Sequence, residues 1–375
     1  MSESEHRLHP IGAEEDVGAL RRAVARMATG RPGLRAGVAE LVATELGTNL
    51  VRHALPGGWV LARTTADGIE LISVDGGPGM PWTPSGAVPG APSPAVPGTP
   101  GPPSPAVPGT PGPPSPAVPG TSWPPSPAVP SPSSPPPYRG GGLNAGLGVV
   151  RAHSAEFDCY STRRGTVVYA RLGAPAEGAW RFGGVNVPLG GDGESGDAWA
   201  VTPGRRLAAL VVDGLGHGPA ASLASRAAVA AFDDGPVTDP GHLVPRAHEA
   251  MRGTRGGVLG ACLIDPDGGT FTYAAVGNVT GRVLTGGRTT HLLDRPGTLG
   301  THLPVPSVRL QQGAWEPGST LVLTSDGIRS GWSLDGHPRL LEHHPAIVAA
   351  VVHREYARPT DDATVLVVRA GGSVP

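Results

Sequence analysis

The sequence predicts an α/β (α+β) protein of two domains, the first interrupted by a proline-rich insert. Three observations carry that expectation. Proline is concentrated in one place: residues 81–137 hold 24 of the 44 prolines in the chain of 375 residues. Outside that block proline is close to its ordinary content of about 5%, and the segments on either side show helical and strand periodicity. The C-terminal half is dominated by apolar runs of strand length with few helices between them, which points to packed sheets flanked by helices rather than a βαβ array.

In chain order, Ala36–Ala54 reads as a helix, because Val38, Leu41, Val42, Leu46 and Leu50 recur at spacings of three to five. Trp59–Thr64 and Ile69–Val74 read as strands joined by the turn residues Ala66-Asp67-Gly68. The block follows. Ser93–Pro103 reads SPAVPGTPGPP and Ser104–Pro114 repeats it letter for letter. Its prolines exclude a helix and predict a solvated, polyproline-II-like chain, read either as a ligand for proline-binding modules or as a tolerated repeat expansion. After it, Gly140–Gly148 opens a helix that runs to about Glu156, and strands follow near Phe157–Ser161 and Thr166–Leu172. Gly173–Gly178 marks a boundary, so the domains are expected at 1–173, containing the insert at 81–139, and at 178–370. In the second, strands are expected at Arg206–Val212, Val258–Ile264, Thr270–Val276, Thr320–Thr324 and Ala363–Val368. Helices are expected at Pro219–Phe232, Gly241–Met251 and Ile347–Tyr356.

Composition removes several functions. All 29 basic residues are Arg. A Walker-type P-loop and Schiff-base chemistry, which both need Lys, are therefore excluded. A formal net charge of −2 gives no field that draws the chain to nucleic acid or an anionic membrane. Cys159 and Cys262 make neither a disulfide framework nor a cysteine zinc site, which fits a cytoplasmic setting. Met1–Pro10 is polar, so no secretory leader is expected, and no apolar run approaches the ~20 residues of a membrane span.

Two groups of residues carry chemistry. In the first domain, Glu45, Asn49 and His53 fall at i, i+4 and i+8 on one helix face. Such residues beside an apolar stripe are either solvated or part of a site. Asp75-Gly76-Gly77-Pro78-Gly79 ends a strand, where backbone can approach a ligand and Asp75 can accept a hydrogen bond. Gly142-Leu143-Asn144-Ala145-Gly146-Leu147-Gly148 opens a helix, whose bare amides suit phosphate. In the second domain, Asp197, Asp213, Asp326 and the pair Asp361-Asp362 sit at the ends of apolar runs. Each alone reads as a turn. Together they would repel one another unless cations hold them, and oxygen-only ligation points to Mg²⁺ or Mn²⁺.

The first group resembles the N, G1 and G2 boxes of the GHKL (Bergerat-fold) ATP-binding superfamily, and within it the anti-sigma-factor serine kinases. The resemblance implies an α/β sandwich binding ATP with Mg²⁺. Asn49 would hold Mg²⁺, Asp75 would read the adenine amino group, and Glu45 would be the general base toward a substrate serine. Gly77 and Gly79 would shape the pocket, while Gly142, Asn144, Gly146 and Gly148 would wrap the phosphates. Asn144 stands where the family has glycine, and the proline-rich block falls in the family's ATP lid. Near two doublings of lid length cost only ~1.2 kcal/mol of closure entropy.

The second group, above all Val211-Val-Asp-Gly-Leu-Gly-His-Gly218 with Val276-Gly-Asn278, Leu323-Thr-Ser-Asp-Gly327 and Asp361-Asp-Ala-Thr364, resembles the SpoIIE-type branch of the metal-dependent (PPM) serine/threonine phosphatases. This implies a β-sandwich flanked by helices with a two-metal site. Asp213 would bridge the metals and the Gly214 carbonyl would ligate one. Asp326 and Asp361 would hold the second, and Asp197 would ligate directly or through water, with Asp192 as its substitute. His217 reads either as a proton donor to the leaving serine or as a packing residue, Asp362 as a solvated neighbour and Cys262 as core. The two resemblances together imply a bacterial partner-switching protein. Its substrate would be a phosphorylated STAS-type anti-sigma antagonist, with a sigma factor or another anti-sigma component as a further partner. The alternative is a non-catalytic partner-switching module with vestigial sites.

Overall fold

A computed structural model describes residues 4–31, 33–54, 56–80, 143–176, 178–191, 193–301 and 304–371. The expected polyproline block, Gly142 and Asp192 lie outside the described residues, as do the side chains of Leu143, Asn144 and Ala145. The chain up to Pro81 and from Gly141 onward forms one compact unit.

The N-terminal half begins with strand β1 (Arg7–Ile11) and helix α1 (Glu14–Ala28). Asp16 starts this helix by accepting the backbone N–H groups of Gly12 and Ala13 at 2.8 and 2.9 Å. Helix α2 (Val38–His53) buries Val42, Leu46 and Leu50 of the stripe expected from the sequence, while Val38 is half-buried and Leu41 is exposed. Then come β2 (Gly58–Thr65), β3 (Gly68–Asp75), α3 (Leu143–His153), β4 (Glu156–Thr162) and β5 (Gly165–Gly173). The five strands form one antiparallel sheet in the order β1-β2-β3-β5-β4.

The C-terminal half contributes β6 (Trp180–Val187), β7 (Asp197–Thr202), β8 (Leu207–Gly214), α4 (Pro219–Asp233), α5 (Pro240–Ala250), β9 (Gly257–Asp265) and β10 (Thr270–Val276). It continues with β11 (Thr280–Thr285), β12 (Arg288–Leu292), β13 (Gln311–Ala314), β14 (Thr320–Thr324), α6 (Pro345–Tyr356) and β15 (Ala363–Ala370). Its strands make two antiparallel sheets, β13-β10-β9-β8-β7 and β12-β11-β14-β15-β6. The described residues thus form a mixed α/β structure with three antiparallel sheets.

Four apolar cores order these pieces. Helices α4 and α5 cover one face of the β7–β10 sheet through Phe232, Leu243 and Val244. The other face packs on the second sheet through Trp199, Val211, Tyr273, Leu323 and Leu366. Beyond that sheet lies α6, and beyond α6 lies the N-terminal sheet, joined in one core by Val365, Ile347, Val351, Ile72, Val74 and Tyr169. Helices α1–α3 cover the far face of the N-terminal sheet. Helix α6 is apolar nearly all round, and every residue from Pro345 to His353 is buried. A helix of that pattern requires a partner on each side, and here it has a sheet on each side.

Polar contacts lock the same joint. The Arg354 guanidinium donates to the Asp75 carbonyl at 2.9 Å. Asp158 accepts the His344 backbone N–H at 2.6 Å and lies 3.0 Å from His343 Nδ1. The Arg63 guanidinium sits 4.8 Å above the Trp199 ring and is ion-paired with Glu70. Arg63 and Arg171 hold Glu70, despite its burial, down at about 2. His6 donates its backbone N–H to the Asn186 carbonyl at 2.8 Å, and burial drives its imidazole down to about 3.

Candidate functional site

The acidic site is built from strand ends. Asp197 opens β7 and Asp213 nearly closes β8, and the two are direct register partners. The turn after β14 supplies Asp326, and the turn before β15 supplies Asp361 and Asp362. Because β14 and β15 pair with each other, those two turns are adjacent; the Ser325 N–H donates to the Thr364 carbonyl at 3.1 Å.

The charges press on one another. Burial first, then the charges of Asp197, Asp326, Asp361 and Asp362, push Asp213 far above the ordinary carboxylate range. Burial also pushes Asp197 well up, although the nearby Ser325 and Thr364 hydroxyls favour its charged form. Asp197 Oδ2 and Thr364 Oγ1 are nevertheless buried without a hydrogen-bond partner. Asp326 is raised by burial and by Asp361, against Arg358. Asn278, from the turn after β10, donates to Asp326 at 2.6 Å.

Asp362 corrects an expectation. It is not a solvated neighbour but is 2% exposed. It accepts the backbone N–H groups of Leu189 at 2.6 Å and Gly196 at 2.7 Å, so it anchors the segment leading into Asp197. The signal for it was the Asp-Asp doublet ahead of an apolar strand, where one carboxylate can point out while the next turns in. Asn186 was not singled out from the sequence; its side chain donates to the Asp197 carbonyl at 2.9 Å. The Gly214 amide donates to the Gly196 carbonyl at 3.0 Å, which ties the two strand ends together. His217 is exposed in the turn before α4. Cys262 is buried in β9, as expected of a core residue.

An oxygen-only donor set with an orphaned, buried Asp197 Oδ2 fits a hard divalent cation. Among the described residues, no three carboxylate, imidazole or thiol groups stand close enough together to enclose a metal as they are placed. The carboxylates are gathered at one end of the two sheets, where a bound cation would relieve their mutual repulsion.

Part of the first group of predicted residues lines a cavity of ≈ 160 Å³ in the N-terminal half. Asn49 and His53 of α2, Asp75 and Gly79 after β3, Leu147 of α3, and Thr166 and Val168 of β5 line it. Asp75 Oδ1 accepts the N–H groups of Gly77 at 2.9 Å and Thr166 at 3.1 Å, which fixes the carboxylate at the cavity edge. Gly79 has φ of +76°, and a side chain there would overlap the Thr162 carbonyl, so the turn requires glycine. Met80 continues it by donating to Ser161 Oγ at 2.8 Å. Gly146 faces α2 so closely that a Cβ would stand 2.9 Å from Glu45 Oε2 and 3.2 Å from Asn49 Oδ1. The structure therefore brings Glu45, Asn49 and Gly146 together beside the cavity. Asn49 Nδ2 is buried without a hydrogen-bond partner. Gly148 lies in α3 with open space around its Cα. Of Asn144 only its place in the first turn of α3 is described.

No helix among the described residues is long and apolar enough to cross a membrane. Among curated proteins no match is found. Three solved structures illustrate the likeness to known folds. One, from work on the bacterial stressosome as a modular system adapted to control secondary messenger signaling, is 29% identical with a TM-score of 0.47, covering 51% of this chain and 99% of its own. RsbX in complex with magnesium is 20% identical with a TM-score of 0.44, covering 52% and 98%. The PP2C phosphatase domain of SpoIIE from Bacillus subtilis, with a fragment of its regulatory domain, is 18% identical with a TM-score of 0.42, covering 57% and 70%. Residues 203–371, from β8 through β15 and thus including Asp213, Asp326 and Asp361 but not Asp197, match the family model of Stage II sporulation protein E (SpoIIE).

Proposed function

We propose that the chain is a metal-dependent protein serine/threonine phosphatase of bacterial partner-switching signalling. Its substrate is a phosphorylated regulatory protein of the STAS-type anti-sigma-antagonist class, and its N-terminal half binds ATP. The domains divide between β5 and β6, at 1–173 and 178–370. The observation that carries the reading is the pairing of Asp197 with Asp213 across two adjacent strand ends, beside the Asp326 and Asp361 turns, within or next to the segment matching SpoIIE.

Asp213 and Asp197 would hold one Mn²⁺ or Mg²⁺ with the Gly214 carbonyl, and Asp213, Asp326 and Asp361 a second. Bound there, such ions supply positive charge that polarises a phosphoryl group and acidifies water. The protein's own groups do the positioning. Asp362 holds the Gly196 amide and with it the start of β7. Asn278 orients Asp326. The exposed His217 would give a proton to the leaving seryl oxygen. In the N-terminal half, Asn49 with its unpartnered amide would face the nucleotide phosphates and their Mg²⁺, and Asp75 would accept from the adenine amino group. Glu45, beside Gly146, would act as a base toward a serine hydroxyl.

The test is release of phosphate from phosphorylated STAS proteins with Mn²⁺, with and without ATP. Hydrolysis is expected with Mn²⁺ and none with a chelator. No hydrolysis of these proteins or of p-nitrophenyl phosphate would favour the non-catalytic module instead.

A further inference from the structure

A cavity of ≈ 600 Å³ lies outside both groups of site residues predicted from the sequence, apart from Asp197. It opens between the N-terminal half and α4. Its wall takes Arg7 from β1, Arg26 from the last turn of α1, Arg31 from the segment after it, and Arg226 from α4, and it reaches Asp197 and Ser222. Its volume falls within the range of about 300–1,000 Å³ typical of ligand sites.

The charges of this wall do not balance. Arg226 is paired with Glu194 at 2.7 Å. Arg31 donates to the Thr65 carbonyl at 2.8 Å, which engages its N–H but leaves its charge uncompensated. Arg7 and Arg26 are exposed and take part in no ion pair among the described residues. Glu5 and Asp197 are the other acidic residues of the wall; Glu5 accepts the Ser195 N–H at 3.3 Å, and a fifth arginine, Arg63, is paired with Glu70. Three guanidinium charges therefore face a cleft whose floor ends at Asp197, the register partner of Asp213. An anionic chain lying in the cleft would meet the acidic centre at Asp197, the one residue of that centre in the cleft wall. Nucleic acid is the weaker occupant, because the cleft's one aromatic ring, Trp199, is 5% exposed and covered by Arg63, leaving no face for a base.

We propose that this cleft docks the acidic segment flanking the phosphorylated residue of the protein substrate, with Arg7, Arg26 and Arg31 as its anchors. The inference rests on the phosphatase reading above and adds to it that the N-terminal half supplies substrate contacts to the C-terminal centre. Arg forks suit such segments because they bind carboxylates and phosphates bidentately.

The experiment uses the full chain and two fluorescein-labelled phosphoserine peptides, one with glutamates around the phosphoserine and one with glutamines at the same places. Anisotropy in the presence of a chelator reads binding alone. Hydrolysis with Mn²⁺, expressed as the kcat/KM ratio of each peptide to p-nitrophenyl phosphate, reads use by the acidic centre and cancels any loss of folded protein. The glutamate peptide is expected to bind and react about tenfold better. That preference should vanish in 0.5 M salt, where the Debye length is only several ångströms, and in the double variant Arg7→Glu/Arg26→Glu. Equal binding of the two peptides, a preference that survives the double variant, or equally tight binding of a single-stranded oligonucleotide of the same charge would each overturn the docking. Preferential binding of the glutamate peptide with no hydrolysis of either peptide or of p-nitrophenyl phosphate would uphold the docking and overturn the phosphatase reading.

Discussion

The two candidate sites solve opposite electrostatic problems. Asp75 in the N-terminal half is at ease: two backbone N–H groups point at one of its oxygens. Asp197 and Asp213 in the C-terminal half are not. Burial works against the charge of both, joined by four neighbouring carboxylates at Asp213 and by Asp362 and Asp326 at Asp197, and one Asp197 oxygen has no partner. The first arrangement is finished protein architecture with a vacant acceptor edge, suited to read a donor on a ligand. The second is stable only with something positive in it or with protons taken up. A carboxylate's surroundings thus distinguish a recognition site from a cation site more sharply than its sequence motif does.

The largest test of that contrast is Asp213→Asn. Loss of the central carboxylate should lower Mn²⁺-dependent hydrolysis of p-nitrophenyl phosphate by more than about 100-fold. Wild-type activity in that variant would remove Asp213 from the metal centre. Asp75→Asn probes the other side. It keeps an acceptor for Gly77 and Thr166 but turns the second oxygen into a donor. ATP affinity, read by calorimetry with Mg²⁺, should fall about 10- to 100-fold, the value of a hydrogen bond to a charged group. Unchanged heat would show that Asp75 reads no ligand. Asn278→Ala sharpens the comparison within the acidic site. It removes the donor that orients Asp326, and kcat/KM should fall about tenfold, with part of the loss recovered at higher Mn²⁺.

The smallest effect per step concerns the joint between the halves. Burial holds His353 down to about 4, and His6 down to about 3. Both stay neutral in the folded protein while the unfolded chain protonates below about 6.5. Their contribution is complete above that pH and is lost as pH falls through about 4 and then about 3, at up to about 1.4 kcal/mol per pH unit for each imidazole. Urea unfolding between pH 7 and pH 4 measures it, and His353→Leu should flatten the slope. An unchanged slope would mean that His353 does not titrate on unfolding.

Much of this was legible from the chain alone, for identifiable reasons. Helix α2 carries large apolar residues at helical spacing, and β8, β9 and β15 are unbroken apolar runs bounded by glycine or aspartate, so their periodicity is plain. Strand β6 is not: Gly183 packs against the Ala346 backbone and Gly184 against the Trp199 ring, so a strand that must admit close neighbours looks like a loop. Helix α1 hides for a different reason, since two of its four buried positions are Ala23 and the small Val17 beneath a polar surface. Strand β12 has four exposed residues of five and lies at a sheet edge. At the acidic site the motif residues were visible as turn carboxylates. The doublet signals that one of Asp361 and Asp362 turns inward, but not which partners it meets, and the support from Asn186 leaves no signal, because both depend on which strand ends meet across separate parts of the chain.

Helix α6 carries a consequence for how this protein can be taken apart. It belongs by chain order to the C-terminal half, yet it shares one core with Ile72, Val74 and Tyr169 of the N-terminal sheet, together with Ile328, Trp332 and Leu340. Cutting between β5 and β6 would strip that sheet of its lid and leave a helix with a bare greasy side on the other fragment. The fragments should precipitate when produced apart and be recovered together when produced in the same cell. What is encoded as two modules in series is, at this helix, a single object with no seam.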